Sequence, residues 1–188
     1  MIRLLRLPVL TQPMTPDERR LLRHFLAALA YRTQKALRDA PPEFADFDPG
    51  NDARPPKELV RHMTSVLGYA RTFFVGGQYR PAPLPSFNDE VARFHEMVES
   101  LASHIDSDDP IADQTTAERL LQGPLSDAMT HAGQLAMLRR LAGMPVAPEN
   151  FIVADIDSQR LGMDQATPVS PDKEWPEAPA NWKAGTAG

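Results

Sequence analysis

Two side chains able to share a proton or hold a cation lie four residues apart in the stretch 124–143, PLSDAMTHAGQLAMLRRLAG. Asp127 offers a carboxylate and His131 an imidazole, and on a helix that spacing puts both on one side. Ala128, His131, Leu135, Leu138 and Ala142 share a face of the same helix, so His131 is expected among apolar side chains. Two ligands so spaced can converge on one metal ion, as on helices that carry an HExxH motif. One helix cannot complete such a site, and a third ligand must come from a facing element. His62, in RPPKELVRHMTSVLGYARTFF, is the best candidate, because it lies on or beside the apolar face marked by Leu59, Met63, Val66, Ala70 and Phe73. His95 and His104 flank the stripe of another helix, and His24 sits at the edge of a third. A plainer reading of the same residues stays open. Asp127 then complements the helix dipole in the first turn, and His131 donates to a backbone carbonyl.

The elements that must position these residues are helical. Thr15-Pro16-Asp17-Glu18 is a start signal, with Thr15 as N-cap, Pro16 at the first position and Glu18 closing a capping box. It predicts a helix over 16–37 with a stripe of Leu21, Leu22, Phe25, Ala28, Leu29 and Arg32. The loop APPEFADFDPGNDARPP follows. A second helix starts near Pro55-Pro56, and Gly76-Gly77 stops it. A third, capped at Ser86, runs to about Asp106 on Val91, Phe94, Val98, Leu101 and Ile105. A short helix is expected over 115–122. Pro124 then opens the last long helix, which Gly143 closes. Phe151–Val153 reads as a short strand. These elements predict an all-α four-helix bundle over 1–145 and a proline-rich C-terminal extension over 146–188. Trp175 and Trp182, the only tryptophans, suggest that part of the extension docks, while its AGTAG end is expected to be disordered.

Composition narrows the chemistry. The 188 residues contain no cysteine, which excludes disulfides, thiolate nucleophiles and sulfur metal ligands. A net charge of −5 and scattered basic residues count against nucleic-acid binding, which runs on phosphate neutralisation. No run is long enough for a membrane span, and MIRLLRLPVL lacks a signal-peptide core, so the chain is read as cytoplasmic with no membrane partner.

Pro56-x-x-Leu59-x-x-His62, followed about 70 residues later by His131-Ala132-Gly133-Gln134 and a Leu-Arg-Arg-Leu ending, resembles the DinB/YfiT-like metalloenzyme family over roughly residues 15–145. In that family one histidine comes from the second helix, and two come from an HxxxH pair on the last helix ahead of a Gly-Gln. This chain departs at the first histidine of the pair, where it has Asp127. The resemblance implies a metal site of His62, Asp127 and His131, and two histidines with one carboxylate form a common open set. Zinc or nickel is the expected divalent ion, with manganese and iron as alternatives. The resemblance also implies up-down-down-up helix order, a homodimer, and a thiol-dependent transferase or hydrolase acting on a small molecule. Any thiol must come from that substrate, for instance a low-molecular-weight thiol. The competing expectation is a non-catalytic dimeric bundle whose metal site has degenerated, acting as a binding or interaction module.

Three further residues could support the site. Gln134, one turn past His131, could orient a ligand or lie exposed. Tyr69, two turns past His62, could supply a proton or simply pack. Glu58, one turn before His62, could reach its ring or complement the helix dipole. Gly133 is expected to let helices approach closely.

Overall fold

A computed structural model describes residues 13–168 except 108, 110, 113 and 114. Among these residues the chain is helical and has no strand. The long helices are α1 (Pro16–Leu37), α2 (Pro56–Val75), α3 (Phe87–Asp106) and α5 (Ser126–Leu141), and a single turn, α4 (Ala117–Leu120), precedes the last. The α1 capping box forms as the sequence predicts, with Thr15 accepting from the Glu18 amide and Glu18 returning to the Thr15 backbone. Ser86 and Asp89 make the same reciprocal pair at α3. Gly76 and Gly77 at the end of α2, with φ of 74° and 77°, and Gly143 after α5, with φ of 75°, take the left-handed conformation that glycine adopts without a Cβ clash.

Packing follows from the apolar faces. α1 lies against α3 and α5, and α2 against the same two, so that α1 and α2 face each other across a shared core. The stripe of α3 is fully committed: Val91, Phe94, Val98, Leu101 and Ile105 are all buried. The stripe of α1 is turned relative to the sequence expectation. Leu22, Leu26, Leu29, Ala30, Thr33 and Ala36 are buried while Leu21 is exposed, because α1 must fill the angle between two neighbours rather than cover one.

Two other expectations are corrected. Pro124 does not open the last helix. It sits inside a widened, π-type turn over Leu121–Leu125, and regular helix resumes at Ser126. Gly123, at φ −93° and ψ −105°, takes the kink, and proline has no amide hydrogen to continue the ladder. The Ser126 hydroxyl donates to the Leu121 carbonyl at 2.6 Å, which satisfies an acceptor the break leaves free. Phe151–Val153 is a 3₁₀ turn, not a strand, with the Asn150 side chain capping it through the Ile152 amide.

The segment after α5 is held by polar contacts. Arg23 donates to the Ser158 carbonyl at 3.0 Å, and Arg38 to the carbonyls of Gln165 and Ala166 at 2.8 and 2.9 Å. The buried His95 meets the Leu161 carbonyl through Nδ1 at 2.8 Å. Trp175, Trp182 and the AGTAG end lie outside the described residues. No helix among the described residues is long and apolar enough to cross a membrane.

Two predictions follow from this packing. An added Cβ at Gly68 would lie 2.0 Å from the Tyr79 ring, whereas one at Gly133 meets nothing within 4 Å. Gly68→Ala should therefore cost about 1–3 kcal/mol in urea denaturation, and Gly133→Ala should add up to ~1 kcal/mol by removing glycine from a helix. Burial holds the His95 pKa below its ordinary value, partly offset by the Leu161 hydrogen bond. The unfolded ring protonates near pH ~6.5 while the folded ring stays neutral. Stability should thus fall as pH drops below that value, and His95→Gln should lose less stability than wild type between pH 7 and pH 5.

Candidate metal centre

α2 and α5 meet along a seam, and three of their side chains converge there. His62, Asp127 and His131 each bring one ligand atom into a group that spans no more than 4.8 Å. The two imidazoles meet edge to face, with centroids 4.8 Å apart at 74°. His131 is buried, His62 half-buried, and the Asp127 side chain half exposed at the mouth. The group is thus anchored at the α5 core face and opens outward through its carboxylate.

The His131 ring is oriented through Nδ1. Nδ1 lies 2.7 Å from Gln134 Oε1, a hydrogen bond that places the ring proton on Nδ1 and the lone pair on Nε2. Nε2 is buried and has no hydrogen-bond partner, although Asp127 Oδ1 lies 3.3 Å away. The angle, not the distance, denies that pair a hydrogen bond. Two potential ligand atoms therefore lie side by side without bonding to each other.

The His62 pKa is lowered, first by burial, then by the Arg54 guanidinium and by His131, with Asp127 opposing. A neutral His62 presents a lone pair at neutral pH, the form a metal requires.

The accessory residues divide. Gln134 touches His131 directly. Tyr69 does not enter the core. It is exposed, packs edge-on against Phe73 at 4.9 Å, and shares with Asp127 a groove of about 680 Å³ that Ser65, Ser126 and Thr130 also line. Glu58 pairs with Arg61 at 3.9 Å rather than with His62, because the guanidinium one turn along is a stronger partner than a half-buried neutral ring. Gly133 brings no helix close, since the space beside it is open.

Two contributors were not legible from the motif. Arg54, in the loop before α2, acts on His62 and lines a second cavity of about 420 Å³ with His131 and Gln134. Glu90, fully buried on α3, accepts from the Leu84 amide at 2.9 Å and pairs with Arg93 and, at 3.6 Å, with Arg61. Arg61 precedes His62, so this carboxylate ties α2 to α3 next to the site. A charged residue one turn past a helix cap normally reads as a dipole partner, which hides such a role in the sequence.

Compared with family models, with curated protein sequences and with solved structures, the chain matches none.

Proposed function

We propose that the chain is a divalent-metal-dependent enzyme whose ion is held by His62, Asp127 and His131. The observation that carries this reading is the buried, unpartnered His131 Nε2 facing a carboxylate oxygen at 3.3 Å. That separation suits two ligands of one ion, since donors about 2.0–2.2 Å from a metal at tetrahedral angles lie roughly 3.3–3.6 Å apart. The ligand atoms lie within 4.8 Å of one another, so side chains of the group would draw in by roughly 1–1.5 Å around an ion. Half-buried and half-exposed side chains have that freedom. Imidazole and carboxylate ligands suit zinc or nickel first, with manganese and iron as alternatives.

A bound divalent ion would polarise a water or thiol and lower its pKa. The chain's own residues supply the rest. Gln134 keeps the His131 lone pair directed at the ion. Asp127 lowers the net charge of the site and marks its open side. Ser65, Tyr69, Ser126 and Thr130 give the adjoining groove hydroxyls for a small polar substrate. With no cysteine in the chain, a thiol reaction would take its thiol from the substrate.

In this reading the four long helices form the up-down-down-up bundle of the DinB/YfiT-like family, with Asp127 replacing a histidine. The chain works as a cytoplasmic homodimer on a small molecule such as a low-molecular-weight thiol, and the reaction is a thiol-dependent transfer or a hydrolysis. The pairing of α1 and α2 each with α3 and α5 supports the bundle.

The test is elemental analysis of tag-free protein, followed by titration with zinc and nickel. Wild type should hold about one ion per chain. His131→Ala and Asp127→Ala should hold none, and Gln134→Ala should bind about 10–100-fold more weakly. Wild type that takes up no ion after reloading with zinc, nickel, manganese and ferrous iron would reject the enzyme reading in favour of a non-catalytic module.

A further inference from the structure

A cleft of about 350 Å³ lies between α1, α5 and the segment that follows α5. It shares no residue with the metal centre. Its floor is apolar, with Ala36, Ala132 and Ala136 from the helices and Val146 and Pro148 from the segment. Three bases line it, Arg32, Lys35 and Arg140. The single acid among its lining residues, Glu149, is buried: Oε1 accepts from the buried Tyr31 hydroxyl at 2.6 Å, and Oε2 is shut off from solvent. The charge offered to a group entering the cleft is therefore positive.

The same face leaves apolar side chains uncovered among the described residues. Met137 lines the cleft and is 54% exposed, and Leu141, one turn on, and Ile152, next to Phe151, are more exposed still. Phe151 forms part of the cleft, with the Arg32 guanidinium 4.1 Å from its ring centroid. Gly133 belongs to the wall, and an added Cβ there would meet nothing within 4 Å, so the space beside α5 is open. An apolar patch with a basic rim fits a large apolar group carried on an acidic peptide.

This chain carries such a peptide. The described residues end at Pro168, which lines a neighbouring cleft together with Lys35, Val146, Ala147 and Pro148. Those four residues also line the first cleft, so Pro168 stands at its edge. Trp175 follows Pro168 by seven residues, a reach of up to about 25 Å. It belongs to Asp172-Lys173-Glu174-Trp175-Pro176-Glu177, where three acids outnumber one base. Trp182, the other tryptophan, has Lys183 beside it and no acid within four residues. We propose that the chain's own C-terminal segment covers this cleft, with the Trp175 indole on the alanines of α5 and the acids around it facing Arg32, Lys35 and Arg140. The volume suits one large aromatic side chain. This docking stands independently of the metal reading, because neither its residues nor its test involve an ion.

Both tryptophans of the chain lie in this segment, so the intrinsic fluorescence of the full chain reads the segment alone. Trp182→Phe leaves Trp175 as the reporter, and Trp175→Phe leaves Trp182. Trp175 emission should lie to the blue of its position in urea-unfolded chain, and acrylamide should quench it at least about twofold less steeply than there, as burial of an indole requires. Gly133→Leu, which fills the open space, should raise Trp175 quenching close to the unfolded value while the helical circular dichroism is unchanged. Arg32→Glu, which reverses a charge at the rim, should move Trp175 in the same direction. Neither substitution should alter Trp182. Trp175 quenched as steeply in the folded as in the unfolded chain would overturn the proposal. So would unchanged shielding in folded Gly133→Leu or in Arg32→Glu, or shielding that is lost on dilution, which would put the segment of a second copy in the cleft.

Discussion

A buried imidazole nitrogen facing a carboxylate sets the terms for the seam between α2 and α5. His131 Nε2 carries a lone pair, because Nδ1 spends the ring proton on Gln134. Asp127 Oδ1 stands 3.3 Å away and is also an acceptor. In the reading proposed above, a divalent ion would be shared by His62, Asp127 and His131, whose ligand atoms the fold already gathers.

That geometry is possible only because α5 is pinned at both ends. At its start, the Gly123–Pro124 break lets the chain enter from α4 at a changed angle, and Ser126 repairs the hydrogen bonding. At its end, the buried Arg139 donates to the carbonyls of Met144 and Arg38 at 2.9 and 3.1 Å and lies over the Phe44 ring. Burial lowers its pKa, with Asp39 opposing, yet an arginine remains charged and so ties the closing turns of α1 and α5 together. Across the seam, the Glu90 carboxylate holds Arg61 and so ties α2 to α3 next to the site. His62 and His131 are therefore presented by two helices that buried charge, and not apolar contact alone, ties to their neighbours.

Much of this was legible in the sequence, for physical reasons that can be named. Thr15-Pro16-Asp17-Glu18 and Ser86 through Asp89 mark their helix starts because side-chain oxygens there meet free amides, a purely local interaction. The α3 stripe was legible because its period is clean. The convergence of His62, Asp127 and His131 follows from spacing and from the apolar residues around each. Other features depend on tertiary context. Leu21 is exposed because two neighbours, not one, decide which side of α1 is inward. Phe151–Val153 has the residue types of a strand but no partner strand among the described residues, so a local Asn150 cap decides its conformation. Gly133 reads as a packing glycine, yet it faces open space beside a cleft that only the fold assembles. Tyr69 keeps His62's helical phase, but that phase is the edge of the core and not its centre.

The most direct measurement is a crystal structure of zinc-soaked protein with data collected on both sides of the zinc absorption edge. The expected result is one anomalous peak about 2.0–2.2 Å from a His62 nitrogen, from His131 Nε2 and from an Asp127 oxygen, with the Gln134 contact to Nδ1 retained. A peak elsewhere, or none, with Asp127 closed onto His131 in a direct hydrogen bond, would contradict it. The seam would then be a self-satisfied ion pair that needs no metal.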